Sequence, residues 1–396
     1  MPSVALHLPN PRDTNMQAAR VLLLGLAILD FGNSARAQSK PTAKPIDLVL
    51  CVDVSGSMQG LIDSAKLKLW DVVNELATLK PTPTLRVGVY SYGGEGGDYT
   101  QANGFTRKEI DLTGDLDKVY EQLNALKITG HVEYPTGVAK RTIDDQAWAN
   151  SKDALKIIFV CGNEESDQDP KVKLDDLSKL AKEKGVIVNA IYCGPATDKL
   201  APGWKQIAEQ CGGKFANIDM NKAGTAVVRT PFDKELNELS GKLNSTYVFY
   251  GDAKVQKDLA ANQSAQDKNA EKAAPGAGAS RALSKAGGLY KNEKDAIDAM
   301  KADAKFDINK LKDDELPEEL KKMKPEERTS YLKKKSDERD GIQKQIKELA
   351  AKRAKHIDVE AKTKPKDAGE KALDDALKAA IREQAKDKGF EVGGKK

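Results

Sequence analysis

The feature that most constrains this chain is the run Ile46-Asp47-Leu48-Val49-Leu50-Cys51-Val52-Asp53. A nearly unbroken apolar stretch of roughly six to eight residues, rich in Val and Leu, is the pattern of a strand covered on both faces, as in a parallel sheet. Directly after it come Val54-Ser55-Gly56-Ser57-Met58 and then a Leu61–Leu79 segment with roughly helical spacing of Leu61, Ala65, Leu67, Leu69, Val72, Val73 and Leu76. Asp53, Ser55 and Ser57 therefore place three oxygen-bearing side chains on alternate residues just beyond the strand, and Gly56 lets the backbone turn between them. A carboxylate and two hydroxyls suit a hard divalent cation, and Mg²⁺ in particular keeps waters in its remaining positions.

Downstream, further strands are expected at Leu85–Tyr92, Lys156–Cys161, Val186–Cys193 and Lys214–Ile218, with Phe105–Leu112 returning as an antiparallel edge. Helices at Asp115–Leu126, from the Gly137 region through Trp148, at Val172–Lys184 and at Trp204–Cys211 alternate with them. This alternation predicts an α/β fold, a doubly wound, mostly parallel six-stranded sheet with helices on both faces. In such sheets ligands bind beyond the carboxyl ends of the strands, where the strand order reverses, and there the loops after Asp53, around Gly130–Gly137 and at Gly162–Asp169 would open. The Gly93-Gly94-Glu95-Gly96-Gly97-Asp98 loop has neither the Lys-Ser/Thr of a P-loop nor dinucleotide spacing, and reads as a hairpin.

Asp-Val-Ser-Gly-Ser at the end of a buried first strand resembles the metal-ion-dependent adhesion site of von Willebrand factor type A (VWA) domains. The resemblance covers residues 45–250 and implies a Rossmann-like binding module whose divalent ion, Mg²⁺ first and Mn²⁺ or Ca²⁺ as alternatives, keeps an open position for a partner's carboxylate. It carries over fully onto Asp53, Ser55 and Ser57. In the second loop the family's Thr is replaced by Val132 and Glu133, with Thr136 three residues later, and in the third loop Cys161-Gly162-Asn163-Glu164-Glu165 stands where a Thr-Asp-Gly triplet is usual. The site is thus an incomplete variant, similar to a bacterial subgroup with Gly-Asn-Glu. Its expected metal set is Asp53, Ser55, Ser57, Glu133, Thr136 and Glu164, and its partner-binding set is Asp53, Ser55, Ser57, Glu133 and Asn163. His131 reads as a surface loop residue beside it.

At the N-terminus, Arg20, the apolar Val21–Leu29 and Ala35-Arg36-Ala37 form the three regions of a signal peptide over residues 1–37, with Met16 as an alternative initiator. This implies export to the periplasm or medium, and no later run approaches the roughly 18 apolar residues of a membrane span. Four cysteines in an exported chain permit disulfides; Cys193–Cys211, bracketing one loop and helix, is the preferred pair, with four buried thiols as the alternative. No C-x-x-C occurs, so neither a zinc site nor a redox motif is supported. With 64 Lys and Arg against 60 Asp and Glu, interspersed, there is no electrostatic case for nucleic acid.

Beyond the first domain, residues 251–286 are rich in Ala, Gln, Asn, Lys and Gly and read as a flexible linker. Residues 287–396 form a charged helical region with helix starts at Leu316-Pro317-Glu318 and Lys324-Pro325-Glu326, one long helix from Pro325 to about Val359, and a last one over Ala368–Lys386 after Lys364-Pro365-Lys366. Leu332, Ile342, Ile346, Leu349 and Ile357 give the long helix a thin apolar stripe, for packing on its own chain or for an oligomerising, coiled-coil contact. Asn244-Ser245-Thr246 and Asn262-Gln263-Ser264 fit a glycosylation pattern. The leading functional expectation is a non-enzymatic, exported, cation-dependent binding module. The alternatives are a structural protein of the envelope assembling through its C-terminal helices and, behind it, a Mg²⁺-dependent phosphotransferase, which would want a second acid where Ser55 stands.

Overall fold

The computed structural model describes residues 43–130, 132–218, 229–274, 276–363 and 368–392. The export segment 1–37, His131 and Lys364-Pro365-Lys366 lie outside them. The apolar run becomes β1 (Pro45–Asp53), followed by α1 (Gln59–Leu76), the two-residue β2 (Leu79–Lys80), β3 (Thr84–Tyr92), β4 (Thr106–Thr113), α2 (Leu116–Ala125), α3 (Pro135–Asp145), β5 (Leu155–Gly162), α4 (Leu174–Lys184), β6 (Val186–Tyr192), α5 (Ala201–Gln210) and β7 (Gly212–Asn217). The six-stranded sheet has the order β4-β3-β1-β5-β6-β7. All its pairings are parallel except β3 with β4, which is the expected antiparallel edge.

Alternation along β1 explains why both faces are covered. Ile46, Leu48 and Val52 point into a core with Leu61, Ile62, Trp70 and Val73 of α1 and Val119, Tyr120 and Leu123 of α2. Val49 and Cys51 point into the opposite core, with Val138 and Ile143 of α3, Leu177 of α4 and Trp204 and Ile207 of α5. From β1 the chain moves to β3 on one side and, later, to β5 on the other, so the strand order reverses at the carboxyl end of β1, beside Asp53. Helix α1 stops three residues short of the expected Leu79, because Leu79 and Lys80 are extended and pair antiparallel with Glu391 and Val392 (β8) at the other end of the chain.

After the sheet come α6 (Asp233–Asn244), α7 (Ala253–Ala273), α8 (Ala277–Lys285), α9 (Ala296–Ala302), α10 (Glu318–Lys321), α11 (Pro325–Thr363) and α12 (Ala368–Asp387). The expectation of a flexible linker over 251–286 is overturned, since this stretch is mostly α7 and α8, capped at Asp252 by a bond to Val255 N (2.9 Å). Its low hydrophobicity has a physical reason: the interface it makes is polar. Arg281, fully buried, donates to Asp117 of α2 (2.7 Å) and Asp267 of α7 (2.6 Å), and its guanidinium stacks 4.7 Å from the Trp70 ring of α1. Lys285, also fully buried, donates to Ser240 of α6 and to Asp267. Paired this way, buried charges are tolerated; stripped of a partner, they are strongly destabilising.

The stripe of α11 is occupied by its own chain: Ile346 and Leu349 join the core beneath α1 and Leu332 a smaller one around Val248 and Ile297. Arg339 of the same helix is buried on Asp295 (2.7 Å) and the Thr246 carbonyl (2.8 Å), over the Tyr247 ring. Helix α12 returns to the sheet through Arg382 on Glu75 of α1 and Gln384 on Asn189 of β6. The four cysteines are free thiols, so the Cys193–Cys211 bridge is not formed; Cys193 sits in the core on the α1 side of the sheet and Cys211 in the core on the other. Asn244, one of the two glycosylation candidates, donates its amide to Asp267 (2.7 Å) within the α6–α7 contact.

Candidate metal site

Asp53 ends β1 with no exposed surface, and its backbone register is fixed by Tyr92 of β3 on one side. Immediately after it the chain leaves the sheet, and Val54 N donates to the Tyr92 carbonyl (2.9 Å). The Ser55 amide then folds back onto Asp53 Oδ1 (2.8 Å). Asp53 Oδ2 is buried and, among the described residues, accepts no hydrogen bond. Burial pushes the Asp53 carboxyl up to about 7; bonds from Ser55 oppose the rise, and the neighbouring Glu133 and Glu164 carboxylates add to it. A buried carboxylate oxygen with no donor is energetically unfavourable, and a proton or a cation relieves it.

Two glycines shape the space around it. Gly93, just past β3, has φ +75°, and a Cβ there would lie 2.9 Å from Glu133 Cγ and 3.0 Å from Asp53 Oδ1. Gly162, at the end of β5, leaves room that a Cβ would fill 2.9 Å from Asp53 Oδ2 and 2.3 Å from the Tyr92 hydroxyl. That hydroxyl is held by the Cys161 carbonyl (2.9 Å), and Trp204 closes the wall, its indole N–H donating to the Glu164 carbonyl (2.8 Å). Any side chain at either glycine would crowd the Asp53 carboxylate.

The other expected residues are placed unequally. Ser55 is buried and Ser57 exposed, and the Asn163 amide nitrogen donates to Ser57 Oγ (3.1 Å), which joins the first and third loops. Asn163 Oδ1 is buried and accepts no bond among the described residues, a second unsatisfied oxygen. Glu133 is buried beside Gly93, and Glu164 is exposed at the rim, close enough to act on Asp53. Thr136 is turned elsewhere: its hydroxyl donates to the Val172 carbonyl before α4 (3.0 Å). Sequence reasoning missed Gly93, Gly162, Tyr92 and Trp204 as walls of the site; a glycine directly after each of two strands was the available signal.

The oxygens around Asp53 are of the kind a hard divalent ion takes. Among the described residues no cluster of three or more His, Cys, Asp or Glu forms a metal cage. The donor set is instead mixed: the Asp53 carboxylate, the hydroxyls of Ser55 and Ser57, the amide oxygen of Asn163 and the carboxylates of Glu133 and Glu164. Such sets suit hard cations that retain water, and two of these oxygens, Asp53 Oδ2 and Asn163 Oδ1, are buried without a donor.

Residues 47–219 match the family model for the von Willebrand factor type A domain. Among solved structures, proximal thread matrix protein 1 from the mussel byssus is similar over 46% of this chain and 44% of its own length, at 14% identity and a TM-score of 0.33. A further structure of that protein, described with a zinc-occupied MIDAS motif, gives 14% identity and a TM-score of 0.34. The SpRpn10 VWA domain is similar over 45% of this chain and 89% of its own, at 15% identity and a TM-score of 0.31. This chain thus spans less than half the length of the byssus protein. Among curated proteins none matches it. Domains of the matched family often serve protein–protein interaction and commonly bind a divalent cation at this position. By family model, strand order and the residues at the end of its first strand, the segment 47–219 belongs to the von Willebrand factor type A family.

Proposed function

We propose that the chain is an exported, non-enzymatic module that recognises protein partners through a divalent cation held at the end of β1. Asp53 supplies the central charge, Ser55, Ser57 and Asn163 neutral oxygens, and Glu133 and Glu164 reach the ion directly or through water. Mg²⁺ fits this set best, with Mn²⁺ and Ca²⁺ as alternatives. The observation that carries the reading is Asp53 Oδ2, a fully buried carboxylate oxygen without a donor at the reversal point of the sheet. Among the described residues no helix is long and apolar enough to cross a membrane. Export rests on the sequence of residues 1–37. Assembly through α11 is the weaker reading, because the apolar stripe that would drive it is buried within the same chain.

The test uses the full chain, since the outer face of α1 is covered by α8 and cannot be stripped without exposing Trp70. Titration calorimetry with Mg²⁺, Mn²⁺ and Ca²⁺ at millimolar levels should show uptake by the native protein and none by Asp53→Ala. No uptake of any of the three by the folded native protein refutes the reading.

A further inference from the structure

The turn that follows β5 is pinned at three main-chain carbonyls, each by a different element. The Cys161 carbonyl accepts from the Tyr92 hydroxyl of β3 (2.9 Å), that of Gly162 from Cys193 N just past β6 (2.8 Å), and that of Glu164 from the indole N–H of Trp204 in α5 (2.8 Å). The pairing of β5 with β6 reaches only to Gly162, so the Trp204 bond grips the chain after it has left the sheet. Trp204 has no exposed surface and is anchored in the core that α3, α4 and α5 form against the sheet. The same indole lies beside the start of the turn: a Cβ at Gly162 would stand 3.0 Å from Trp204 Cη2 and 2.9 Å from Asp53 Oδ2, so ring and carboxylate flank one residue. One position before Trp204, a Cβ at Gly203 would lie 2.3 Å from Ser166 Oγ, which brings the loop directly onto the backbone of α5.

Asn163 stands between the two points at which the indole meets this turn. Its Oδ1 is buried and has no donor among the described residues, while its amide nitrogen reaches Ser57 Oγ (3.1 Å) in an exposed bond. A hydrogen bond open to water exchanges with solvent and fixes a loop weakly. We propose that Trp204 is a positioning residue of the cation site: through the Glu164 carbonyl it fixes the turn that presents Asn163 Oδ1 to the ion, without touching the ion itself. This rests on the cation-dependent reading above and deepens it. Groups that orient a metal's ligands from behind change its affinity about 10–100-fold when they are removed.

The experiment follows Mg²⁺ uptake by the full chain in titration calorimetry, with urea unfolding in chelator alongside. Trp204→Phe removes the N–H and keeps an aromatic ring in the core, and its Kd for Mg²⁺ is expected to rise about tenfold. Benzothienylalanine at position 204 keeps the bicyclic ring and lacks only the N–H, so it carries the same test should the phenylalanine variant fail to fold. A merely structural role would not depend on Asn163. In an Asn163→Ala background the same exchange should therefore raise Kd by less than about twofold, because the group being positioned is gone. An unchanged Kd in a folded position-204 variant, or an equal loss with and without Asn163, overturns the proposal. The two readings fail separately: no Mg²⁺ uptake by the native protein removes the cation site and this role with it, whereas native uptake that the position-204 variants leave unaltered removes only the role of Trp204.

Discussion

Exchanging Asp53 for Asn keeps the shape of the side chain and removes its charge, so it isolates the electrostatic cost that a cation would relieve. In chelated protein the Asp53 carboxyl titrates at about 7 instead of 3.8, chiefly because it is buried. Between those two pH values the folded state holds a proton that the unfolded chain has released. Stability from this group is therefore fully present below about pH 4 and is lost as pH rises through about 7. A shift of that size corresponds to about 4 kcal/mol by pH 8. Asn does not ionise, so Asp53→Asn lacks this slope, and it gives up only about 1 kcal/mol for the weaker acceptor it offers the Ser55 amide. At pH 8 with chelator the variant should be the more stable protein by roughly 3 kcal/mol, or about 4 °C for a cooperative unit of about 350 residues. Mg²⁺ should level the two at about a hundred times Kd, which adds about 2.7 kcal/mol to the native protein alone, and reverse the ranking at about a thousand times Kd, which adds about 4.1 kcal/mol. Scanning calorimetry from pH 5 to 8.5, with chelator and with Mg²⁺, measures both effects. A native protein equally stable at pH 5 and pH 8 without metal, or an equal Mg²⁺ shift in both proteins, refutes the reasoning.

Arg281→Met should destabilise the chain by about 3–5 kcal/mol in urea titration, because Asp117 and Asp267 lose their shared buried partner; a change below about 1 kcal/mol would mean that the node does not hold α8 to the sheet domain. Intact mass of protein recovered outside the cytoplasm, alkylated in denaturant without reductant, should correspond to a chain starting just after Ala37 with four alkylated cysteines. A retained leader counts against export, and two unmodified cysteines count against free thiols.

The inner strands of the sheet were legible because each had to satisfy two cores at once. β1, β5 and β6 are covered on both faces, which forces an unbroken apolar run that few other arrangements tolerate. Asp53 and Ser55 were legible for the opposite reason: polar residues at a position where the strand should still be apolar demand a chemical purpose. Glu133 and Asn163 could be placed near them from loop position alone. Thr136 could not, since nothing in the chain announces that its hydroxyl faces Val172. The walls at Gly93 and Gly162 escaped because a glycine there acts through the Cβ it lacks, a property visible only once Asp53 stands opposite.

The two helices within residues 251–286 were misread by the same logic that found the sheet. Apolar periodicity detects surfaces that bury hydrocarbon, and α7 buries Gln263, Gln266 and Ala270 instead. Its neighbour α8 brings Arg281 and Lys285 into the interior, where Asp117, Asp267 and Ser240 meet them. Asp117 lies 164 residues from Arg281, so composition shows only charge and amide, as a solvated linker would. What distinguishes the two is stoichiometry: a solvated linker leaves its charges to water, whereas here Arg281 and Lys285 each have a matched acceptor set. Because such pairs tolerate neither loss nor displacement, they add direction-specific contacts to the apolar core that the helical region shares with α1, and α1, which begins six residues after Asp53, is held in place by both.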